Sequence, residues 1–332
     1  MRILVTGCAG FIGYAVCDEL LRTENEVLGI DRLSDYYSVD LKKLRLNRLG
    51  IQKNFDFVQT DIASEKTTKS ITSFKPDVVL NLAAQPGVRK KTNKYWEYVS
   101  DNIISFSKLA ESVKKSNINM FMYASSSSIY GVQHKKIFAE NLTDLRPTSF
   151  YGSTKLINEI FCNNFFNGTK TKTVGLRFFT VYGPFGRPDM SYMRLINAAL
   201  NNEKYESYGN GQIKRDFTYI DDVVTSIIKL IKLSEGQREI SPKIYNIGGG
   251  NPISINQLVA IVEKNTNRKI KIDFQKSLKE DLPFTKSSTK KLQKATGFKP
   301  KIKIEDGINR TVQWIIQNNL ELKLNRWIKS VD

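Results

Sequence analysis

The 332-residue chain contains a single histidine and three cysteines. His134 stands in a polar stretch before Lys135 and Lys136, with no histidine or cysteine at ligand spacing, so no metal site is expected. Cys8, Cys17 and Cys162 form no paired framework, which points to a reducing cytoplasm. Long apolar runs are also missing. None approaches the length of a membrane span, and the first residues already form an apolar strand pattern, so neither a membrane helix nor a signal peptide is expected. Acidic residues are the scarce charge, 33 against 51 Lys and Arg, which leaves +18. That excess raises the question of a nucleic-acid partner, but the lysines fall in scattered pairs such as Lys42 and Lys43, or Lys290 and Lys291. Without a basic arm or a binding module they read as a solvated surface that also attracts anionic nucleotides.

With 40% hydrophobic residues, the chain can bury a large core and build two lobes. An apolar run from Ile3 to Thr6 enters Gly7, Cys8, Ala9, Gly10, Phe11, Ile12 and Gly13, and Val16, Leu20 and Leu21 follow at helical spacing. This is a strand, a glycine turn and a helix. Gly7 suits the tight turn, Gly10 lets backbone amides approach a pyrophosphate, and Gly13 lets the helix pack on the strand. A second strand, Glu26 to Ile30, ends in Asp31, whose carboxylate can accept from both adenosine ribose hydroxyls and would repel a 2′-phosphate. NAD is therefore favoured over NADP, although Arg32 can also face a phosphate. Asp61, after the strand Phe55 to Thr60, is expected near the adenine.

Strand and helix patterns continue to alternate. Strands are expected at Asp77 to Leu82, Met120 to Ser125 and Thr173 to Phe179, with helices at Trp96 to Lys115 and Ser153 to Phe166. Repeated units of this kind imply an α/β fold, a doubly wound parallel Rossmann sheet with a smaller C-terminal α/β lobe. Beyond Pro184 we expect a helix at Asp189 to Asn201, a hairpin from Tyr205 to Tyr219 around Gly209 and Gly211, a helix at Asp221 to Leu233 and a strand at Lys243 to Ile247. Residues 1–184 and 216–248 would form the cofactor domain, and 185–215 and 249–332 the substrate lobe.

Tyr151 and Lys155 lie four residues apart near a helix start and so share one face. A lysine ammonium beside a tyrosine, joined by an oxidised nicotinamide, lowers the phenol pKa and makes a general base for a sugar hydroxyl. Ser125, Ser126, Ser127 and Ser128 end a strand of the parallel sheet, where hydroxyls meet the ligand crevice. Ser126 is the candidate for binding the reacting oxygen.

Taken together, the glycine turn, Asn81 to Arg89, the serine run with Tyr130 and Gly131, the Tyr151 and Lys155 pair, and Arg215 to Asp222 resemble the extended short-chain dehydrogenase/reductases, specifically the nucleotide-sugar epimerases. The resemblance implies that Tyr151 takes the O4 proton while hydride passes from C4 to NAD, giving a 4-keto sugar that turns over and is reduced on its other face. It further implies cofactor contacts from Phe11, Ile12, Ile62, Leu82, Ala83, Ala84, Gln85, Ser125 and Val181, besides the glycines, Asp31, Arg32, Asp61, Tyr151 and Lys155. A homodimer through the helices Trp96 to Lys115 and Ser153 to Phe166 is implied as well.

Phe179 to Met190, and the insertion Asp35 to Leu49, are similar to UDP-glucuronate 4-epimerases, although Pro86 stands where alanine is usual. Arg187 and Thr180 would then hold a sugar carboxylate. The 4-keto form is a β-keto acid, so its carboxylate must be fixed in a geometry poor for loss of carbon dioxide. Related decarboxylases and 4,6-dehydratases carry acids where this chain has Ser127 and Ser128. Arg215 resembles the residue that binds the nucleotide diphosphate, Arg89 is a further substrate contact, and Asp221 and Asp222 read as structural. Thr285, near the position associated with sugar size, leaves UDP-N-acetylglucosamine open beside UDP-glucose. A non-enzymatic NAD-binding protein is the alternative from another class.

Overall fold

The computed structural model describes residues 1–87, 95–133, 137–235, 243–276 and 282–329. Six strands, β1 (Arg2–Thr6), β2 (Glu26–Asp31), β3 (Phe55–Gln59), β4 (Val78–Asn81), β5 (Met120–Ser126) and β6 (Lys172–Phe178), run parallel in one sheet. Lys243–Ile247 adds a seventh parallel strand beside β6, so the spatial order is β3, β2, β1, β4, β5, β6 and then this strand. Shorter strands are β7 (Thr180–Tyr182), β8 (Lys204–Tyr208), β9 (Lys214–Tyr219), β11 (Pro252–Ser254) and β12 (Lys271–Gln275), with Lys243–Ile247 as β10.

Alternate residues of β1 feed opposite faces of the sheet, which explains its unbroken apolar run. Ile3 and Val5 join Val16, Cys17 and Leu20 of α1 (Phe11–Leu21), together with the helix α2 (Val39–Leu49) through Leu41 and Leu49. Leu4 joins the opposite cluster, where α3 (Glu65–Phe74) supplies Ile71. Ile3, Leu4 and Val5 are 0% exposed, and each burial contributes roughly 1.5–3 kcal/mol before chain entropy is counted.

Beyond β4 lie α4 (Tyr95–Tyr98), a π-helical stretch Val99–Ile104 and α5 (Ser105–Lys115), so the expected single helix Trp96 to Lys115 changes its winding midway. Phe106, Leu109 and Val113 of α5 pack under β5 with Cys162 of α6 (Phe150–Phe165). The rest of the chain adds α7 (Ser191–Asn201), α8 (Ile220–Glu235), α9 (Ile255–Thr266), α10 (Lys290–Thr296), α11 (Ile304–Gln317) and α12 (Glu321–Lys329).

The hairpin expected between Tyr205 and Tyr219 does not form. β8 pairs in parallel with β12, whereas β9 lies between β7 and β11 in a separate sheet. Tyr205 and Ser207 are buried in alternation, a pattern that identifies a half-buried strand but not its partner. The glycines do turn the chain, Gly209 at φ +75° and Gly211 at φ +73°, but Gly209 donates to Gln275 of β12, so the turn separates two sheets. Asp222 accepts from the Lys301 and Ile302 amides at 2.9 and 2.8 Å and so tethers the segment before α11 to α8.

Candidate active site

The ends of the parallel strands converge on one cavity. Its lining takes Gly7, Gly10, Phe11, Ile12 and Gly13 after β1, Asp31 and Arg32 at β2, Asp61 and Ile62 after β3, and Leu82, Ala83 and Ala84 after β4. Ser125 and Ser126 enter from β5, Tyr151 and Lys155 from α6, and Val181 and Arg187 from beyond β6. The chain winds outward in opposite directions from β1 and β4, which makes their junction the crevice where such sheets bind ligands.

Gly7 has φ +70°, and a Cβ there would lie 2.7 Å from the Ala83 nitrogen; a Cβ on Gly13 would lie 2.1 Å from the Gly7 carbonyl oxygen. Close packing thus needs glycine at both. No side chain caps α1, and its first turn holds no acid, so free amides and the positive helix end face the cavity. That suits a diphosphate. Asp31 is fixed by the Ala9 amide at 3.1 Å and the Leu33 amide at 2.8 Å. Arg32 is held by Asp61 at 3.0 Å and by both oxygens of Asp101 at 2.9 and 2.5 Å. A 2′-phosphate would have to draw Arg32 from two carboxylates and then sit beside Asp31, so the site fits NAD better than NADP.

Ser149 caps α6 by accepting from the Gly152 amide at 3.1 Å, which sets Tyr151 in the first turn and Lys155 one turn on. Lys155 is 2% exposed, and its ammonium has no hydrogen bond or ion pair to any described residue. Burial lowers its pKa from 10.5 to about 8. A buried ammonium open only to the cavity matches the ribose hydroxyls of a nicotinamide nucleotide.

The electrostatics of Tyr151 differ from the sequence expectation. Burial pushes its phenol above 10.0, while the Arg187 charge and a hydrogen bond with Ser126 act in the opposite direction. The Lys155 ammonium, 5.8 Å from the ring centroid, does not figure among these causes. Among the described residues, the charge that favours the phenolate is that of Arg187. It pairs with Asp189 through two hydrogen bonds and lies over the Tyr36 ring at 5.6 Å.

Gln85 and Arg215 line a second, larger cavity with Tyr205, Ser207 and Trp96; it shares Arg32, Ser34, Tyr36 and Asp101 with the first. Ser127, Ser128 and Thr180 are absent from both linings. Ser127 and Ser128 open a 3-10 turn, and the Ser128 amide donates to Ser126 at 3.1 Å. The Thr285 hydroxyl accepts from the Asp216 amide at 3.2 Å, which turns it towards β9. Arg89 and His134 lie outside the described residues.

Residues 3–248 match the NAD dependent epimerase/dehydratase family. The chain belongs to this family. Among its relatives, the UDP-glucuronate 4-epimerase of Thermodesulfobacterium geofontis is 39% identical over 321 residues, 96% of this chain and 97% of the relative. Protein CapI of Staphylococcus aureus is 35% identical over 331 residues, covering 96% and 99%. The crystal structure of UDP-glucuronic acid 4-epimerase from Bacillus cereus with UDP-glucuronic acid and NAD superposes with a TM-score of 0.90 at 33% identity, covering 96% of this chain and all of that one.

Within this family member, sequence reasoning overlooked several residues at the cavity. Tyr36 and Lys42 come from the insertion Asp35 to Leu49, and Asp101 from the π-helical stretch. Lys42 donates to the Ser34 carbonyl at 2.6 Å, and burial lowers its pKa to about 8. Behind Ser125, Glu159 accepts from its hydroxyl at 2.5 Å and forms a buried pair with Arg177, which donates to Tyr130 at 2.8 Å. The signal in the sequence was spacing: Leu41, Arg45 and Leu49 share one helical face, which sets an arginine among apolar residues.

Proposed function

We propose that the chain is an NAD-retaining UDP-glucuronate 4-epimerase. The observation that carries this reading is the presence of Tyr151 and Arg187 in the cavity built on the glycine turn. Tyr151 takes the proton from the sugar O4, with the Ser126 hydroxyl on the same oxygen. NAD, held by the residues of the cavity, would supply the acceptor and then the donor of the C4 hydride. Lys155 holds the ribose hydroxyls, while the glycine turn with the free end of α1 holds the diphosphate. The second cavity, with Arg215, takes the UDP half, and the 4-keto sugar turns about that anchor to present its other face. Tyr151 then gives its proton back, and no net redox change remains.

Arg187 holds the sugar carboxylate through a charge-assisted pair and keeps the C5–C6 bond out of line with the ketone π system. Decarboxylation is suppressed in that geometry. The test is incubation of the purified protein with UDP-glucuronate, UDP-glucose and UDP-N-acetylglucosamine, followed by product separation. Interconversion of UDP-glucuronate and its galacto epimer is expected. Epimerisation confined to neutral sugars overturns the role of Arg187, a pentose product points to decarboxylation, and retained NAD without turnover points to a binding protein.

The remaining proposals concern setting and assembly. Ile157 and Ile160 of α6 are 42% and 57% exposed, which supports a homodimer through α5 and α6. Sedimentation of Ile160→Asp as a monomer would agree with this; an unchanged dimer would refute it. The described helices include none long and apolar enough to cross a membrane, and the three thiols are free and buried, which supports a cytoplasmic enzyme. Its product would supply a surface polysaccharide. The cofactor and substrate domains are proposed at residues 1–184 with 216–248, and 185–215 with 249–332.

A further inference from the structure

Arg45 faces inward from α2 between Leu41 and Leu49, and all three are fully buried. Its guanidinium donates from Nη1 to the Ala9 carbonyl at 2.8 Å and to the Tyr37 hydroxyl at 2.6 Å. Nη2 reaches the carbonyls of Phe185 at 2.6 Å and Gly186 at 3.3 Å, and Nε reaches Phe185 at 3.2 Å. No ion pair to a carboxylate is found for it among the described residues. A buried cation solvated by neutral oxygens alone is costly, so the rigid fork must do what a neutral side chain could not.

The fork joins two segments of the site that are far apart in sequence. Ala9 belongs to the glycine turn, and its amide is held by Asp31. Phe185 and Gly186 directly precede Arg187. Phe185 adopts φ +58°, a conformation that costs energy in a bulky residue and persists only where the surroundings fix it. Its ring packs on Tyr14 at 4.8 Å and on Trp314 at 4.5 Å, while Arg45 holds its carbonyl from the other side.

We infer that Arg45 is a positioning residue that locks the glycine turn to the loop carrying Arg187, and so sets the preference for an acidic over a neutral sugar. This rests on the proposed role of Arg187 as the carboxylate partner. Arg45 touches neither ligand and acts through the two carbonyl-bearing segments. Lysine keeps its charge but loses the fork, whereas methionine loses both.

The experiment titrates UDP-glucuronate and UDP-glucose calorimetrically into NAD-loaded wild type, Arg45→Lys, Arg187→Met and the double variant, with NAD content and turnover measured on each. In Arg45→Lys the affinity ratio of the acidic to the neutral sugar should fall about tenfold, and the substitution should change that ratio no further in the Arg187→Met background. An equal loss for both sugars, or additive losses in the double variant, overturns the coupling. Arg45→Met tests the same ratio if it folds; Arg45→Lys decides if it does not. Wild type that binds both sugars without turning them over overturns the epimerase reading alone.

Discussion

Replacing Lys155 by methionine should make the cofactor-free protein more stable while abolishing turnover. The ammonium is 2% exposed, has no hydrogen-bonding partner among the described residues, and has a pKa lowered by burial from 10.5 to about 8. A group that binds its proton less tightly when folded than when unfolded opposes folding fully below the folded pKa. That opposition fades as pH rises from about 8 to 10.5, where the unfolded chain binds more protons. It is worth about 3 kcal/mol at pH 7 and about 1.4 kcal/mol at pH 9.5. Methionine keeps most of the side-chain volume and removes the charge, so the variant should gain up to about 3 kcal/mol at pH 7 and less at pH 9.5. Urea unfolding of both proteins without cofactor, at both pH values, measures this as a shift of midpoint at unchanged slope. A variant less stable than wild type at pH 7, or a gain identical at both pH values, would refute the reasoning.

Tyr151→Phe should lower epimerisation by about 10²–10⁴-fold while leaving UDP-sugar affinity within a few-fold, measured by product formation and calorimetry. Asp31→Ala should weaken NAD without admitting NADP, because Asp61 and Asp101 still hold Arg32; adding Asp61→Ala should raise NADP affinity, and fluorescence titration of the two variants checks the order. Glu159→Gln leaves the buried Arg177 uncompensated and should cost about 3–5 kcal/mol in urea unfolding, with rescue by Glu159→Gln combined with Arg177→Met. NAD binding between pH 8 and 9 should take up protons, since the diphosphate favours the charged forms of Lys155 and Lys42, both lowered to about 8 by burial; calorimetry in buffers of different ionisation enthalpy detects it.

The parallel sheet was legible because β1, β2 and β4 are apolar over most of their length and the glycine turn follows β1. Periodicity also located Tyr151 and Lys155 on one helix face, and the Ser149 cap explains why that helix begins early enough to include the tyrosine. Strand partners outside the main sheet were not legible. β8 finds β12 more than sixty residues away, and alternation along Tyr205 and Ser207 carries no information about distance. The contribution of Arg187 at Tyr151 was not legible for a related reason. Spacing along a helix reports Lys155, whereas Arg187 arrives from a loop aimed by the left-handed backbone of Phe185.

Lys42, Lys155 and Arg187 line the cavity, while Arg45 and Arg177 lie buried behind its walls. Only the last has a buried carboxylate as its matched counterion, in Glu159; Arg187 pairs with Asp189 in its own loop, and the two lysines lose pKa to burial. The acids of the lining are engaged elsewhere, Asp31 by backbone amides and Asp61 and Asp101 by Arg32, so the buried Lys155 gains most from an added anion. On the proposed placement, a dinucleotide diphosphate at the end of α1 brings negative charge into the cavity that holds Lys155 and Lys42, so its binding offsets a cost that the empty fold carries alone. A cofactor that must be reduced and reoxidised in one cycle has to stay bound, and this arrangement favours its retention because release would again leave the Lys155 ammonium buried without a partner among the described residues.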